Sequence, residues 1–154
     1  WMVHSFPTRR SSDLGAGIIY GAPLIVIDFG TPITFDIISK QKAYLGGMII
    51  PGLKISLDAL FERTALLPKI NLGRPKDFIG KDTKDSMLSG IINGFSALVD
   101  ELTNKIKREI GGKTIVVGTG GQIKIIADFC KNIDIIDPEL TLKSINLLSK
   151  TLDE

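Results

Sequence analysis

Two glycine turns, each closing an aliphatic run, limit this chain more than any other feature. Leu24-Ile25-Val26-Ile27 runs into Asp28-Phe29-Gly30-Thr31, and Thr114 to Val117 runs into Gly118-Thr119-Gly120-Gly121. Short apolar runs rich in β-branched residues suit strands buried on both faces. After the first turn, Thr34-Phe35-Asp36-Ile37-Ile38 reads as a returning strand. Ser39 to Lys42 is a polar turn, and Tyr44 to Ile50 a third strand of an antiparallel meander. Pro51 is expected to open a helix, because its fixed φ suits a first helical turn. A loop follows from about Leu67 to Lys81, broken by Pro68, Gly73, Pro75 and Gly80. Asp82 or Thr83 can cap the next helix. Its stripe of Met87, Leu88, Ile91, Ile92, Phe95, Leu98, Val99, Leu102 and Ile106 ends at Gly111-Gly112. Beyond the second glycine turn the pattern predicts a short helix over Gln122 to Phe129 and a strand over Ile133 to Ile136. Asp137-Pro138 turns the chain into a last helix, Leu140 to Leu148. The predicted order is β-β-β-α-α-β-α-β-α, an α/β domain with a mixed sheet and flanking helices.

Composition narrows the class. With 154 residues, 44% hydrophobic and 23% charged, one globular domain with an aliphatic core is expected. The net charge of +2 rests on scattered lysines, so no nucleic-acid partner is expected. No apolar run is long enough to span a bilayer, so no membrane partner is expected either. Cys130 is the sole cysteine, which excludes an intrachain disulfide and points to a reducing, cytoplasmic location. Its apolar flanks mark it as a packed thiol rather than a nucleophile.

Residues 1–14 differ from the rest. Trp1 to Leu14 has neither helical nor strand periodicity, and Val3 to Leu14 resembles a translated sequencing-adapter read. This stretch is expected to be a non-native, disordered tail, with the domain proper over residues 15–154. His4 is therefore no evidence for a catalytic base.

The residues themselves leave the chemistry open. A carboxylate at a strand end, beside a glycine and a hydroxyl, suits a phosphate or its cation, and equally suits a plain hairpin turn. Gly118 to Gly121 joins a strand to a helix, where backbone N–H groups favour an anion or nucleotide. A tight structural turn explains it as well. It lacks the lysine of a P-loop and the third glycine of a dinucleotide fingerprint.

Specific resemblance comes from the connecting segments. Asp28-Phe29-Gly30-Thr31, Thr34-Phe35-Asp36, Gly46-Gly47-Met48-Ile49-Ile50-Pro51-Gly52-Leu53 and Ser56 to Phe61 resemble type III pantothenate kinases. So do Arg63-Thr64-Ala65, Leu67-Pro68, Ile79-Gly80-Lys81-Asp82-Thr83, Ser86-Met87, Ser89-Gly90, Gly118 to Gly121 and Asp137-Pro138. The resemblance spans residues 20–150 and implies the carboxy-terminal half of such an enzyme. The fold it implies is a ribonuclease-H-like domain of the actin-like ATPase superfamily, without the amino-terminal domain. The implied reaction is ATP-dependent phosphorylation of pantothenate, the first step of coenzyme A synthesis. ATP with Mg²⁺ and a monovalent cation, potassium or ammonium, are the implied cofactors. By resemblance Asp28 is the cation ligand, Thr31 contacts ATP, Thr83 contacts pantothenate, and Gly120 and Gly121 hold adenosine. The family also implies a homodimer, with the helix from Thr83 to Ile110 as an interface element. Asp36 reads as a structural hydrogen-bond acceptor and Arg63 as a residue of the dimer surface.

Departures from the family pattern are equally informative. Pro32-Ile33 replaces the small residues that often follow the first motif. No Asp-x-Gly-Asn phosphate loop occurs. The family's catalytic aspartate sits in a Gly-Ala-Asp-Arg segment about twenty residues before Asp28, and that offset lands on Thr8. No residue of this chain is therefore assigned as catalytic, and the chain by itself is expected to be inactive. The alternative is a non-catalytic transcriptional regulator of the same fold, although no basic patch supports direct DNA contact.

Overall fold

The computed structural model describes residues 15–152; the expected tail over residues 1–14 lies outside the described residues. Helix α1 covers residues 15–20. It is followed by β1 (Leu24–Phe29), β2 (Pro32–Ile38), β3 (Tyr44–Pro51), α2 (Leu53–Arg63), α3 (Thr83–Ile110), β4 (Ile115–Thr119), α4 (Ile123–Ile126), β5 (Ile135–Ile136) and α5 (Leu140–Leu152). A 3-10 turn over Ala127–Phe129 extends α4. From β1 onward the order matches the sequence pattern. Helix α1 was not legible: Gly15 and Gly17 weaken its propensity, and six residues carry no period.

The strands form one sheet in the order β3-β2-β1-β4-β5. β1 to β3 are antiparallel neighbours, whereas β4 and β5 run parallel to β1. Strand alternation sorts the core into two layers. Ile25, Ile27, Phe29, Ile33, Phe35 and Ile37 pack on one face with Leu53 and Leu57 of α2 and Met87, Leu88, Ile91, Ile92, Val99 and Ile106 of α3. Leu24, Val26, Ile38 and Val117 pack on the other face with Ala16 of α1 and Leu140 of α5. The stripe on α3 is thus spent mainly on the sheet.

Three local expectations change. Pro51 does not open α2; it ends β3, opposite Pro32, and Gly52 is the cap. Gly52 is needed there because a Cβ would overlap Thr31 O and lie 2.7 Å from Gly30 O. β5 shrinks to two residues, because Ile133 turns inward against Gly118, where a Cβ would lie 3.2 Å from Ile133 Cγ2. The helix after the second glycine turn has only four α-helical residues, so its dipole is a weak source of anion affinity.

Candidate functional site

Parallel pairing of β1 with β4 sets Asp28 beside Thr119. The chain after Thr119 must therefore pass the Asp28 carboxylate, and it does so through Gly120 at φ +96°. A Cβ on Gly120 would overlap Asp28 Oδ1 and lie 2.7 Å from Phe29 N and C. The Gln122 N–H donates to Phe29 O at 3.0 Å, locking the second turn onto the first. Two turns ninety positions apart in sequence thus become one surface.

The first turn is built from the other side. Gly52, at the start of α2, rests on the carbonyls of Gly30 and Thr31. Thr31 itself is exposed, and so is Gly121, beyond whose missing Cβ no atom lies within 4 Å. Asp28, Thr31, Gly120 and Gly121 therefore form one edge, with a carboxylate at its base and open space above the second turn. Among the described residues no group of three or more His, Cys, Asp and Glu can hold a metal ion. A cation on this edge would combine one carboxylate with hydroxyl and backbone oxygens, a set suited to a hard cation.

Thr34 faces Asp28 across the β1–β2 ladder, and Asp36 follows on the same face of β2. Asp36 is buried and accepts a hydrogen bond from Tyr44 Oη at 3.0 Å, with Thr34 Oγ1 at 3.5 Å. This is the structural acceptor role expected for it. Arg63 is exposed in the last turn of α2, where a cation favours the helix C-terminus.

Thr83 lines a hollow whose lining includes none of Asp28, Thr31, Gly120 and Gly121. It is the exposed first residue of α3, behind the cap Asp82, whose carboxylate accepts from Asp85 N at 2.7 Å. Its surroundings are a hollow of about 550 Å³ lined by Leu67, Gly80, Lys81, Asp82, Ser86 and Met87. The preceding loop is tethered to α3 at several points. Asp85 accepts from Lys76 N at 2.7 Å and Asp77 N at 3.3 Å, and Ser89 Oγ donates to Phe78 O.

One polar cluster leaves no signal in the sequence, where Asp137-Pro138 reads only as a turn. Asp137 is 4% exposed. Its carboxylate accepts from Tyr20 Oη at 2.6 Å, Lys143 Nζ at 2.8 Å and Glu139 N at 3.1 Å. Its own N–H donates to Gly118 O at 2.9 Å, two residues before Gly120. Burial pushes the Asp137 carboxyl up, but the hydrogen bonds from Lys143, Tyr20 and Glu139 outweigh it and hold the group below its ordinary value. Burial, then the hydrogen bond to Asp137 and its charge, push Tyr20 up to about 12. No pattern in the sequence joins Tyr20 to Asp137, because only the fold brings α1 to the start of α5.

Cys130 packs against the larger core layer. Burial, followed by the charge of Asp100, pushes its thiol up to about 12, so it stays protonated as a packed thiol should. Among the described residues no helix is long and apolar enough to cross a membrane.

The chain resembles known proteins at two levels. In solved structures, its fold matches a conserved protein from Campylobacter jejuni described as a Baf family transcriptional activator. That match has a TM-score of 0.66 and 21% identity, over 99% of this chain and 68% of the other. It also matches component A of (R)-2-hydroxyglutaryl-CoA dehydratase from Acidaminococcus fermentans, at a TM-score of 0.53 and 13% identity, over 89% and 64%. These likenesses establish the fold, a mixed sheet with flanking helices. In sequence, a type III pantothenate kinase from Acidothermus cellulolyticus is 39% identical over 91% of this chain and 55% of its own length. One from Moorella thermoacetica is 47% identical over 84% and 51%. The chain thus spans about half the length of the curated relatives it matches. The family model for type III pantothenate kinase matches residues 13–105, a segment that includes the first turn, the Gly46 to Leu53 motif and the start of α3, and this chain belongs to that family.

Proposed function

We propose that this chain is the nucleotide- and cation-binding half of an enzyme that phosphorylates pantothenate with ATP, opening coenzyme A synthesis. One observation carries the reading: the register of β1 and β4 presses Gly120 against Asp28, so the cation carboxylate and the adenosine turn form one edge. Phosphoryl transfer depends mainly on positioning and charge stabilisation, and such an edge serves both. Asp28 takes a monovalent cation, potassium or ammonium. Thr31 contacts the phosphates, and Gly120 and Gly121 lie under the nucleoside. Mg²⁺ arrives with the ATP and neutralises charge developing on the phosphates. Thr83, in the hollow at the start of α3, serves pantothenate. The protein acts as a cytoplasmic homodimer. The regulator reading draws on likeness of fold alone.

Calorimetric titration of the chain with ATP at several potassium concentrations tests the edge. Affinity is expected to rise with potassium, and Asp28→Asn is expected to remove most of that rise while leaving the circular dichroism spectrum unchanged. One anionic ligand is lost with almost no change of shape. An unaltered potassium response in Asp28→Asn would count against the cation assignment.

A further inference from the structure

Gln122 follows directly on the open glycine turn, and its side chain is in an unusual state. The Oε1 atom is buried and has no hydrogen-bond partner among the described residues. The side chain does not cap α4 either. The backbone of the same residue is fully used: its N–H donates to Phe29 O at 3.0 Å, and its carbonyl accepts from Ile125 N at 3.0 Å. The main chain is therefore pinned while the amide carbonyl is unbonded. A buried carbonyl without a donor is unfavourable, and no hydrogen bond to Oε1 holds the side chain in its present rotamer. A rotamer that gives Oε1 a donor is therefore favourable. Gly121, the adjacent residue, is exposed, and a Cβ there would meet nothing within 4 Å.

We propose that Gln122 is a nucleoside-contacting residue, whose Oε1 swings out to accept a hydrogen bond from a donor on the nucleoside laid over Gly120 and Gly121. The inference rests on the nucleotide reading above and adds to it a residue that decides which nucleosides bind well. Two donors share this chemistry: the exocyclic amino group of adenine and the ribose hydroxyls. They are distinguished by the ligand rather than by the protein.

The test is titration of the full 154-residue chain with ADP, inosine diphosphate and 2′,3′-dideoxy-ADP, for wild type, Gln122→Leu and Gln122→Glu. Gln122→Leu keeps the volume and removes the acceptor; Gln122→Glu keeps an acceptor in the same place. Gln122→Leu is expected to weaken ADP binding about five- to tenfold, and Gln122→Glu to retain most of the affinity. Wild type should lose a similar factor with inosine diphosphate if the base amino group is the donor, or with the dideoxy nucleotide if a hydroxyl is. That loss should vanish in Gln122→Leu, a result that mere misfolding of the variant cannot produce. Equal ADP affinity in wild type and Gln122→Leu overturns the assignment while leaving the nucleotide reading intact. Failure of the wild type to bind any of the three overturns both.

Discussion

Gly120 and Gly121 are adjacent glycines that lack a side chain for different reasons. At Gly120 the backbone sits at φ +96°, and a Cβ would overlap Asp28 Oδ1 and crowd the Phe29 backbone. Gly120→Ala is therefore expected to destabilise the domain by about 2–4 kcal/mol, combining left-handed strain with a clash that only backbone movement relieves. At Gly121 nothing in the fold forbids a methyl group. Gly121→Ala is expected to leave stability within about 0.5 kcal/mol, or raise it slightly, by restricting the unfolded chain. It should nonetheless weaken ATP binding, because its methyl group enters the space assigned to the nucleoside. Urea unfolding alongside ATP titration separates the two cases. A stable Gly120→Ala, or a Gly121→Ala with unchanged ATP affinity, would contradict the assignment of the turn.

At the scale of elements, Asp137 joins α1 to α5 through its carboxylate and both to β4 through its N–H, and the carboxylate's pH dependence has a definite sign. Asp137 is held below its ordinary pKa, so its contribution is present at neutral pH and is lost as pH falls from about 4 downward. Tyr20 is raised to about 12, so its contribution is complete below about pH 10 and fades between about pH 10 and 12. Tyr20→Phe removes one hydrogen bond to a charged acceptor and is expected to cost about 1.5 kcal/mol near pH 7. The gap between wild type and variant should narrow at both pH extremes. Unfolding free energies across a pH series measure it, and a constant gap would show that the bond carries no linkage. This cluster also marks the boundary of what the sequence makes legible. The strands around Asp28 and Gly118 announce themselves, since an apolar run ending in a glycine turn is a local signal. The long α3 does too, through its periodic stripe and its Asp82 cap. The role of Pro51 is not local, because the close approach of Gly52 to the Thr31 carbonyl is a tertiary fact. Asp28 and Gly120 were each visible as candidates, but their contact depends on strand register, which no window of sequence contains.

At the scale of the molecule, the edge formed by Asp28, Thr31, Gly120 and Gly121 supports binding better than turnover. Thr31 and Gly121 are exposed, whereas phosphoryl transfer requires the phosphates to be held from several sides with water excluded. The polypeptide of these 154 residues is therefore expected to bind ATP without phosphorylating pantothenate. It is also expected to self-associate. The loop before α3 is tethered by Asp85 and Ser89, yet it leaves Phe78 and Ile79 each 77% exposed, and Leu66 is 93% exposed after α2. Apolar side chains displayed on an anchored loop lose little conformational freedom on docking, which favours an interface between copies. Two measurements on one sample decide both points. A coupled ADP-release assay with ATP, pantothenate, magnesium and potassium should give no pantothenate-dependent signal, and light scattering should report a dimer that Phe78→Ser shifts towards monomer. Turnover that survives repurification would mean that a base within these residues accepts the substrate proton, with Asp36 the first to replace by Asn. A wild-type monomer would remove the loop as an interface.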